Sequence, residues 1–322
     1  MPEHAHESPP DSVPADQPPP AGIVTGTSGE AQRLDLAVAR LSGWTRRQSQ
    51  RAIVDGQVYV AGRRCREPGQ QVAPEAMLVV HPTPPDRTDL DGGGVRVVLE
   101  DDDWLVLNKP AGLPCQPEPG GGDALSLRAA QHLGRPVADV HRLDREVSGL
   151  VLWGKHPGAT RHAAALFHDH LADRRYLALV RGQYLPDYER ISAPIGEDDR
   201  GLPTIAATGR PAVSHAVVLH RVQAQRMALL AVMLETGRSH QIRLHLAYAL
   251  GAVVGDVRHG DLPGHQYGDP PRIALHAASL RWQGLRGEPL LAHCPPPDDF
   301  WPSGSDPSWL AVDWLAQLRQ SL

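Results

Sequence analysis

His141, Arg142 and Asp144 open a short stretch of the chain with side chains suited to chemistry, and Arg145 follows at once. The stretch reads His141-Arg142-Leu143-Asp144-Arg145-Glu146-Val147-Ser148-Gly149-Leu150-Val151-Leu152-Trp153-Gly154-Lys155, passing through a Ser-Gly turn signal into an apolar run. A loop carrying a reactive carboxylate at the mouth of a buried strand reads this way. Two arginines within two residues of Asp144 let its carboxylate stay ionised even when a substrate displaces its water. The plain alternative is a surface Arg–Asp pair ahead of a core strand.

Three further stretches have the same look. Asn108-Lys109-Pro110-Ala111-Gly112 ends an apolar run, and Arg174-Arg175-Tyr176-Leu177-Ala178-Leu179-Val180-Arg181-Gly182 reads as a strand. Glu235-Thr236-Gly237-Arg238-Ser239-His240-Gln241-Ile242-Arg243-Leu244-His245 leads into a helix. There Ser239 is the expected N-cap, Ile242, Leu246, Ala249 and Leu250 form the apolar face, and Gly251 is the stop.

Together these stretches resemble the motifs of the RluA-type pseudouridine synthases. Val147 and Ser239 stand where the family usually has Thr, and His259, beyond Gly255-Asp256, stands where it usually has Tyr. The resemblance implies an isomerase that breaks the bond between ribose and the uracil nitrogen, turns the base and rejoins it through carbon 5. Asp144 would be the essential carboxylate, attacking the anomeric carbon or removing a ribose proton. Its cationic partner would be Arg243, with Arg238 the fallback. Tyr176 would stack on the target base and assist proton removal at carbon 5; the alternative is a core tyrosine with its hydroxyl satisfied. Arg142 would fill the place of an extruded base, or simply contact phosphate. His141 would orient the loop, and Lys109 and Lys155 would support the site, with Arg142, His141, Lys109 and Arg238 as the substrate contacts; a salt bridge at a strand end is the alternative for each lysine. An isomerisation without redox change needs no cofactor.

The elements that must position these residues follow from pattern. Val95–Leu99 and Trp104–Asn108 flank an acidic turn and predict a hairpin. Helices are expected near 123–133 and 158–171, strands over 212–222, 227–234, 273–282 and 290–294, and a C-terminal helix from Asp306. Residues 183–211, rich in Pro, Gly and charge, read as an inserted loop. Many strands with few regular helix alternations predict an α+β fold with a mixed, largely antiparallel sheet over 95–322.

Residues 1–30 are Pro-rich, hold five acids and no Lys or Arg, and are expected to be disordered. They carry the whole net charge of −5, so the rest of the chain is balanced. Residues 31–80 hold eight arginines against four acids. They predict helix, helix, strand, turn and closing strand, with Thr45 capping the second helix. That order resembles the S-four-type RNA-binding domain, named after a small-subunit ribosomal protein. The resemblance implies phosphate contacts from Arg46, Arg47 and Arg51. A solvated arginine face is the alternative. Residues 81–94, Pro-rich then Gly-rich, read as a flexible linker.

A chain of 322 residues suits two domains. No stretch is apolar enough to span a bilayer, and the N-terminus lacks the pattern of a secretion signal. Cys65, Cys115 and Cys294 have no paired spacing, which fits a reducing cytoplasm and excludes a disulfide framework. The histidines show no metal-ligand spacing, and no Gly loop is followed by the Lys-Ser/Thr of a phosphate cradle.

RNA is therefore the expected partner, ribosomal RNA before transfer RNA, with neither DNA nor membrane and a monomer by default. A glycoside hydrolase would need a second carboxylate, for which Glu235 is the motif-borne candidate. A non-catalytic RNA-binding or ribosome-assembly protein is the stronger rival, with Val147 and His259 as its signs of decay.

Overall fold

The computed structural model describes residues 24–54, 57–61, 63–80, 88–90, 94–182, 185–222, 226–261 and 270–302. The chain divides into two compact units, Met1–Pro82 and Thr83–Leu322.

In the first unit, β1 (Val24–Thr27), β3 (Val58–Val60), β4 (Arg63–Cys65) and β6 (Met77–Val80) form an antiparallel sheet in the order β1-β6-β3-β4. A small ladder joins β2 (Gln32–Arg33) to β5 (Gln71–Val72). Helix α1 (Leu34–Ser42) buries Leu34, Ala37 and Val38 and ends at Gly43 in the left-handed region. Helix α2 (Arg46–Val54) begins with a reciprocal cap. The Gln48 N–H donates to Thr45 Oγ1 at 3.3 Å, and the Thr45 N–H donates to Gln48 Oε1 at 2.8 Å. Leu34, Val38, Ile53, Val58 and Leu78 form the core.

The second unit is built on one large sheet. Its strands are β7 (Thr88–Asp89), β8 (Arg96–Glu100), β9 (Trp104–Lys109), β10 (Ser148–Gly154), β11 (Asp173–Arg181), β12 (Tyr188–Ser192), β15 (Val213–Val222), β16 (Met227–Leu234), β17 (Leu275–Gln283) and β18 (Pro289–His293). Their order is β12-β15-β16-β11-β17-β10-β9-β8-β7, with β18 against β17. Only β10 and β17 pair in parallel among the described strands, so the expected mixed, largely antiparallel sheet is present. All seven residues of β10 are buried, which is why its sequence reads as a continuous apolar run. Gly149 sits where β10 meets β17 with φ +121°, and a Cβ there would lie 2.3 Å from the Ala277 carbonyl oxygen. The Ser-Gly pair is thus a requirement of strand pairing as much as of turning. Helices α3 (Leu125–Leu133), α4 (Pro157–His168) and α5 (Gln241–Ala249) complete the unit.

Several expectations need correction. Residues 24–27, expected to be disordered, form an edge strand because alternate residues tuck against the first unit's core. Thr88–Asp89, expected within a flexible linker, pairs with β8. Residues 183–211 contain β12 and a hairpin of β13 (Ile195–Glu197) and β14 (Pro203–Ile205). Ser239 does not cap α5; the N-cap is His240, in the left-handed region at φ 54°. His162 on α4 is not a free surface histidine: it packs on Trp104 and bonds to the Gln283 carbonyl at 2.9 Å. The expected helix from Asp306 and most of the N-terminal tail lie outside the described residues. No described helix is long and apolar enough to cross a membrane.

Candidate active site

The 141–147 loop is tied down at each end and in the middle. His141 Nε2 accepts the Leu152 N–H at 2.9 Å, and its ring stacks on Phe167 with centroids 4.2 Å apart. Burial, helped by the charge of Arg174, pushes His141 down to about 3, so the acceptor nitrogen stays free of a proton. The Leu143 N–H donates to Cys115 Sγ at 3.3 Å, and the thiol returns toward the Leu143 carbonyl at 3.4 Å. The Arg145 carbonyl accepts from the Gly112 N–H at 2.8 Å and from Lys109 Nζ at 3.0 Å.

Lys109 is fully buried and also donates to the carbonyls of Pro110 and Leu113, at 3.1 and 2.7 Å. Burial lowers its ammonium to about 8. Expected among the substrate contacts, Lys109 instead gathers three main-chain carbonyls beneath the loop. Lys155 is further away in role, bonding Glu100 Oε1 at 2.9 Å across the β8–β9 turn.

Helix α5 presents two faces from one motif. Gln241 and His245, four residues apart, both bond Ser214 Oγ on β15, at 3.0 and 2.9 Å, which locks the helix to the sheet. Arg243 points the other way. Its Nη1 lies 3.2 Å from Asp144 Oδ2, while Nε and Nη2 donate to Asp256 at 2.6 and 2.9 Å. Arg243 and Asp256 side chains are 2 % and 1 % exposed, whereas Asp144 is 26 % exposed and reachable. Burial alone would lower the Arg243 guanidinium, but the hydrogen bonds and charge of Asp256 hold it above its ordinary value. Glu146 adds a longer contact to Nη1 at 3.5 Å.

These groups face a cavity of about 700 Å³ whose wall includes Asp144, Tyr176, His240 and Arg243. Tyr176 lies on β11 beside an irregularity in its pairing with β17, and it is 7 % exposed. Burial, with Asp144 adding to it, raises the phenol above its ordinary value. Arg142 is exposed on the rim and makes no ion pair among the described residues. Arg238 lines the cavity and donates from Nε to the Pro211 carbonyl at 3.2 Å, with no contact to Asp144. The structure thus brings Asp144, Arg243 and Tyr176 together and holds Arg238 apart.

Three features escaped the sequence reading. Asp256 anchors Arg243; its only signal was the Gly255-Asp256 pair. Cys115 clamps the Asp144 loop, a role that a lone cysteine does not announce. His240 meets His259, Nδ1 to Nε2 at 2.8 Å, and burial lowers both rings. Val147, where Thr was expected, is 3 % exposed in the main core, and its N–H closes a turn on the Asp144 carbonyl at 3.1 Å. Among the described residues no cluster of three or more His, Cys, Asp or Glu is arranged to hold a metal.

In the first unit Asp35 is buried and collects hydrogen bonds from Arg33, Arg46 and Gln50. Burial alone would raise its carboxyl, but these donors hold it well below the usual carboxylate range. Arg46, 56 % exposed, is therefore partly committed to Asp35, while Arg47 and Arg51 are exposed on the same helix.

Residues 103–248 match the family described as RNA pseudouridylate synthase, and residues 32–78 match the S4 domain. The chain is 33% identical to an RNA pseudouridine synthase of Bacillus subtilis, YlyB, over 86% of this chain and 95% of that protein. It is 32% identical to the ribosomal large subunit pseudouridine synthase D of Vibrio parahaemolyticus, over 86% of this chain and 92% of the relative. Among solved structures, human RNA pseudouridylate synthase domain containing 1 shares the fold, with TM-score 0.58 and 23% identity over 74% of this chain and 98% of that one.

Proposed function

The chain belongs to the RNA pseudouridine synthase family and is an isomerase of RNA uridine; we propose that it modifies 23S ribosomal RNA with Asp144 as its essential carboxylate. The observation that carries the second part is the Asp144–Arg243 contact at 3.2 Å on the wall of an open cavity. Relatives named for the ribosomal large subunit support the first part, as does a basic S4 domain suited to structured RNA.

In this reading a uridine leaves its stack, at a cost of about a few kcal/mol, and its base enters the cavity. The N1–C1′ bond breaks, the base turns, and a C5–C1′ bond forms. The proton on C5 is released, and N1 ends protonated. Asp144 attacks C1′ or takes a ribose proton; both routes require an ionised, positioned carboxylate. Arg243 supplies a fixed positive charge whose attraction grows when substrate excludes water.

Tyr176 stacks on the base. Its raised phenol makes it a poor base near neutral pH, so the stacking role is favoured over proton removal. Arg142, without an ion pair among the described residues and two residues before Asp144, occupies the vacated position in the RNA stack. His141 and Lys109 hold the loop, and Arg46, Arg47 and Arg51 contact backbone phosphates without reading sequence. The protein works as a cytoplasmic monomer on RNA rather than DNA, and the isomerisation needs no cofactor.

The hydrolase alternative loses its second carboxylate. Asp144 is the one carboxylate among the described residues lining the cavity, and Glu235 is engaged by His215 at 2.6 Å. The non-catalytic alternative loses its signs of decay, because Val147 fills core and His259 packs edge-on against His240.

Mapping pseudouridine in RNA from cells without the gene tests the target. One missing position in 23S ribosomal RNA, restored by wild type and not by Asp144→Ala, is the expected outcome. A missing position confined to transfer RNA would overturn the target assignment.

A further inference from the structure

The cavity beside Asp144 carries more positive charge than the Asp144–Arg243–Asp256 chain uses. Arg142, Arg174, Arg210 and Arg238 all line it, and none forms an ion pair among the described residues. A cavity wall that concentrates unanswered guanidinium groups attracts an anion.

Arg174 is the most constrained of the four. Its guanidinium carbon lies 5.6 Å from the Phe167 ring centroid, and Nη2 reaches the Thr236 carbonyl at a long 3.5 Å. Its Nε is buried and has no hydrogen-bond partner. A buried cationic donor left unpaired is costly, and an anion against the terminal nitrogens of the same guanidinium offsets part of that cost. Arg174 also lies directly against Gly237, where a Cβ would stand 2.8 Å from Nη1. The next residue, Arg238, uses Nε on the Pro211 carbonyl. Burial and the neighbouring Arg210 charge push its guanidinium below its ordinary value.

We propose that Arg174 and Arg238, on either side of Gly237, form a subsite for the backbone phosphodiester of the nucleotide whose base enters the cavity. The proposal rests on the RNA isomerase reading and adds to it where the flipped nucleotide is held. Planar guanidinium forks match phosphate oxygens in pairs, and Gly237 lets one fork lie against main chain. Two such contacts fix the ribose next to Asp144 without reading the base, and help offset the cost of unstacking.

The test uses the full chain and total RNA, labelled with tritium at carbon 5 of uridine, from cells lacking the gene. Tritium release is followed at several RNA concentrations from 50 to 300 mM KCl (working values of about this range span the screening regime). Arg174→Met and Arg238→Met are each expected to lower kcat/KM by about tenfold or more, chiefly through KM. Each should also reduce the slope of log kcat/KM against log salt by about 0.7–0.9, and Arg174→Lys should restore the slope.

A brace acting only through Phe167 and Thr236 would instead lower the melting temperature of Arg174→Met and leave the slope alone. Arg238→Met, which touches neither group, decides the matter if Arg174→Met does not fold. Unchanged slopes in folded variants would overturn the subsite. No release by wild type would overturn the isomerase reading itself, and the subsite with it.

Discussion

Asp256 grips Arg243 through Nε and Nη2, at 2.6 and 2.9 Å, and so aims the remaining nitrogen, Nη1, at Asp144. The guanidinium is a rigid fork, so fixing two of its nitrogens fixes the third. Removing the Asp256 carboxylate leaves two nitrogens of a buried guanidinium, Nε and Nη2, without their partner, which costs about 3–5 kcal/mol of stability. Asp256→Ala should also lower kcat by roughly 100-fold, as expected for loss of alignment, with KM for RNA nearly unchanged. Thermal melts and steady-state kinetics check both parts; a folded variant with normal kcat would remove Asp256 from the positioning of the site.

Tyr176 offers a ring more than a base. Tyr176→Phe should keep kcat within about threefold of wild type, because base–aromatic stacking does not need the hydroxyl. Tyr176→Leu should lose about 10–100-fold in kcat/KM, the worth of one stacking contact. Tritium release from uridine-labelled RNA reads both. A Phe variant as impaired as the Leu variant would return the hydroxyl to the proton-transfer step.

His276 makes the second unit sensitive to mild acid. It is fully buried, bonded to Ser148 Oγ at 2.8 Å and to the Cys294 carbonyl at 3.2 Å. Burial, with the Arg272 charge adding to it, lowers the ring to about 3. The unfolded chain titrates near 6.5, so below that pH the unfolded state binds the extra proton and stability falls. The loss approaches about 1.4 kcal/mol per pH unit and continues down to about 3. Denaturant melts between about pH 7 and 5 should show this slope before most carboxylates titrate. His276→Gln should reduce it by about 1.4 kcal/mol per pH unit and leave the share of His141, which burial holds equally low; an unchanged slope in that variant would assign the acid sensitivity elsewhere.

The sequence made some of this legible for physical reasons. β10 is buried along its whole length, so its residues are apolar without interruption, and the loop before it stands out. β12 is an edge strand in which only Ile191 is buried, so Tyr188-Glu189-Arg190-Ile191-Ser192 carries no alternating pattern and read as loop. Asp144 and Arg243 lie 99 residues apart, and their pairing was accessible only through motif resemblance. The inward turn of Lys109 was hidden because a lysine after an apolar strand reads equally well as a surface charge. His240, in the left-handed region and with no side-chain cap hydrogen bond, holds the cap position expected of Ser239, while Gln241 Oε1 turns back to accept the Arg238 N–H and the Thr236 hydroxyl, at 3.0 and 2.8 Å.

The most direct test of the central claim is tritium release from carbon 5 of uridine in RNA from cells lacking the gene, with wild type beside Asp144→Asn. Wild type should release tritium in step with pseudouridine formation. Asp144→Asn, matched in shape but without the charge, should bind the RNA and release none above background. Release by Asp144→Asn at the wild-type rate would contradict the role of Asp144 and of the arginine aimed at it.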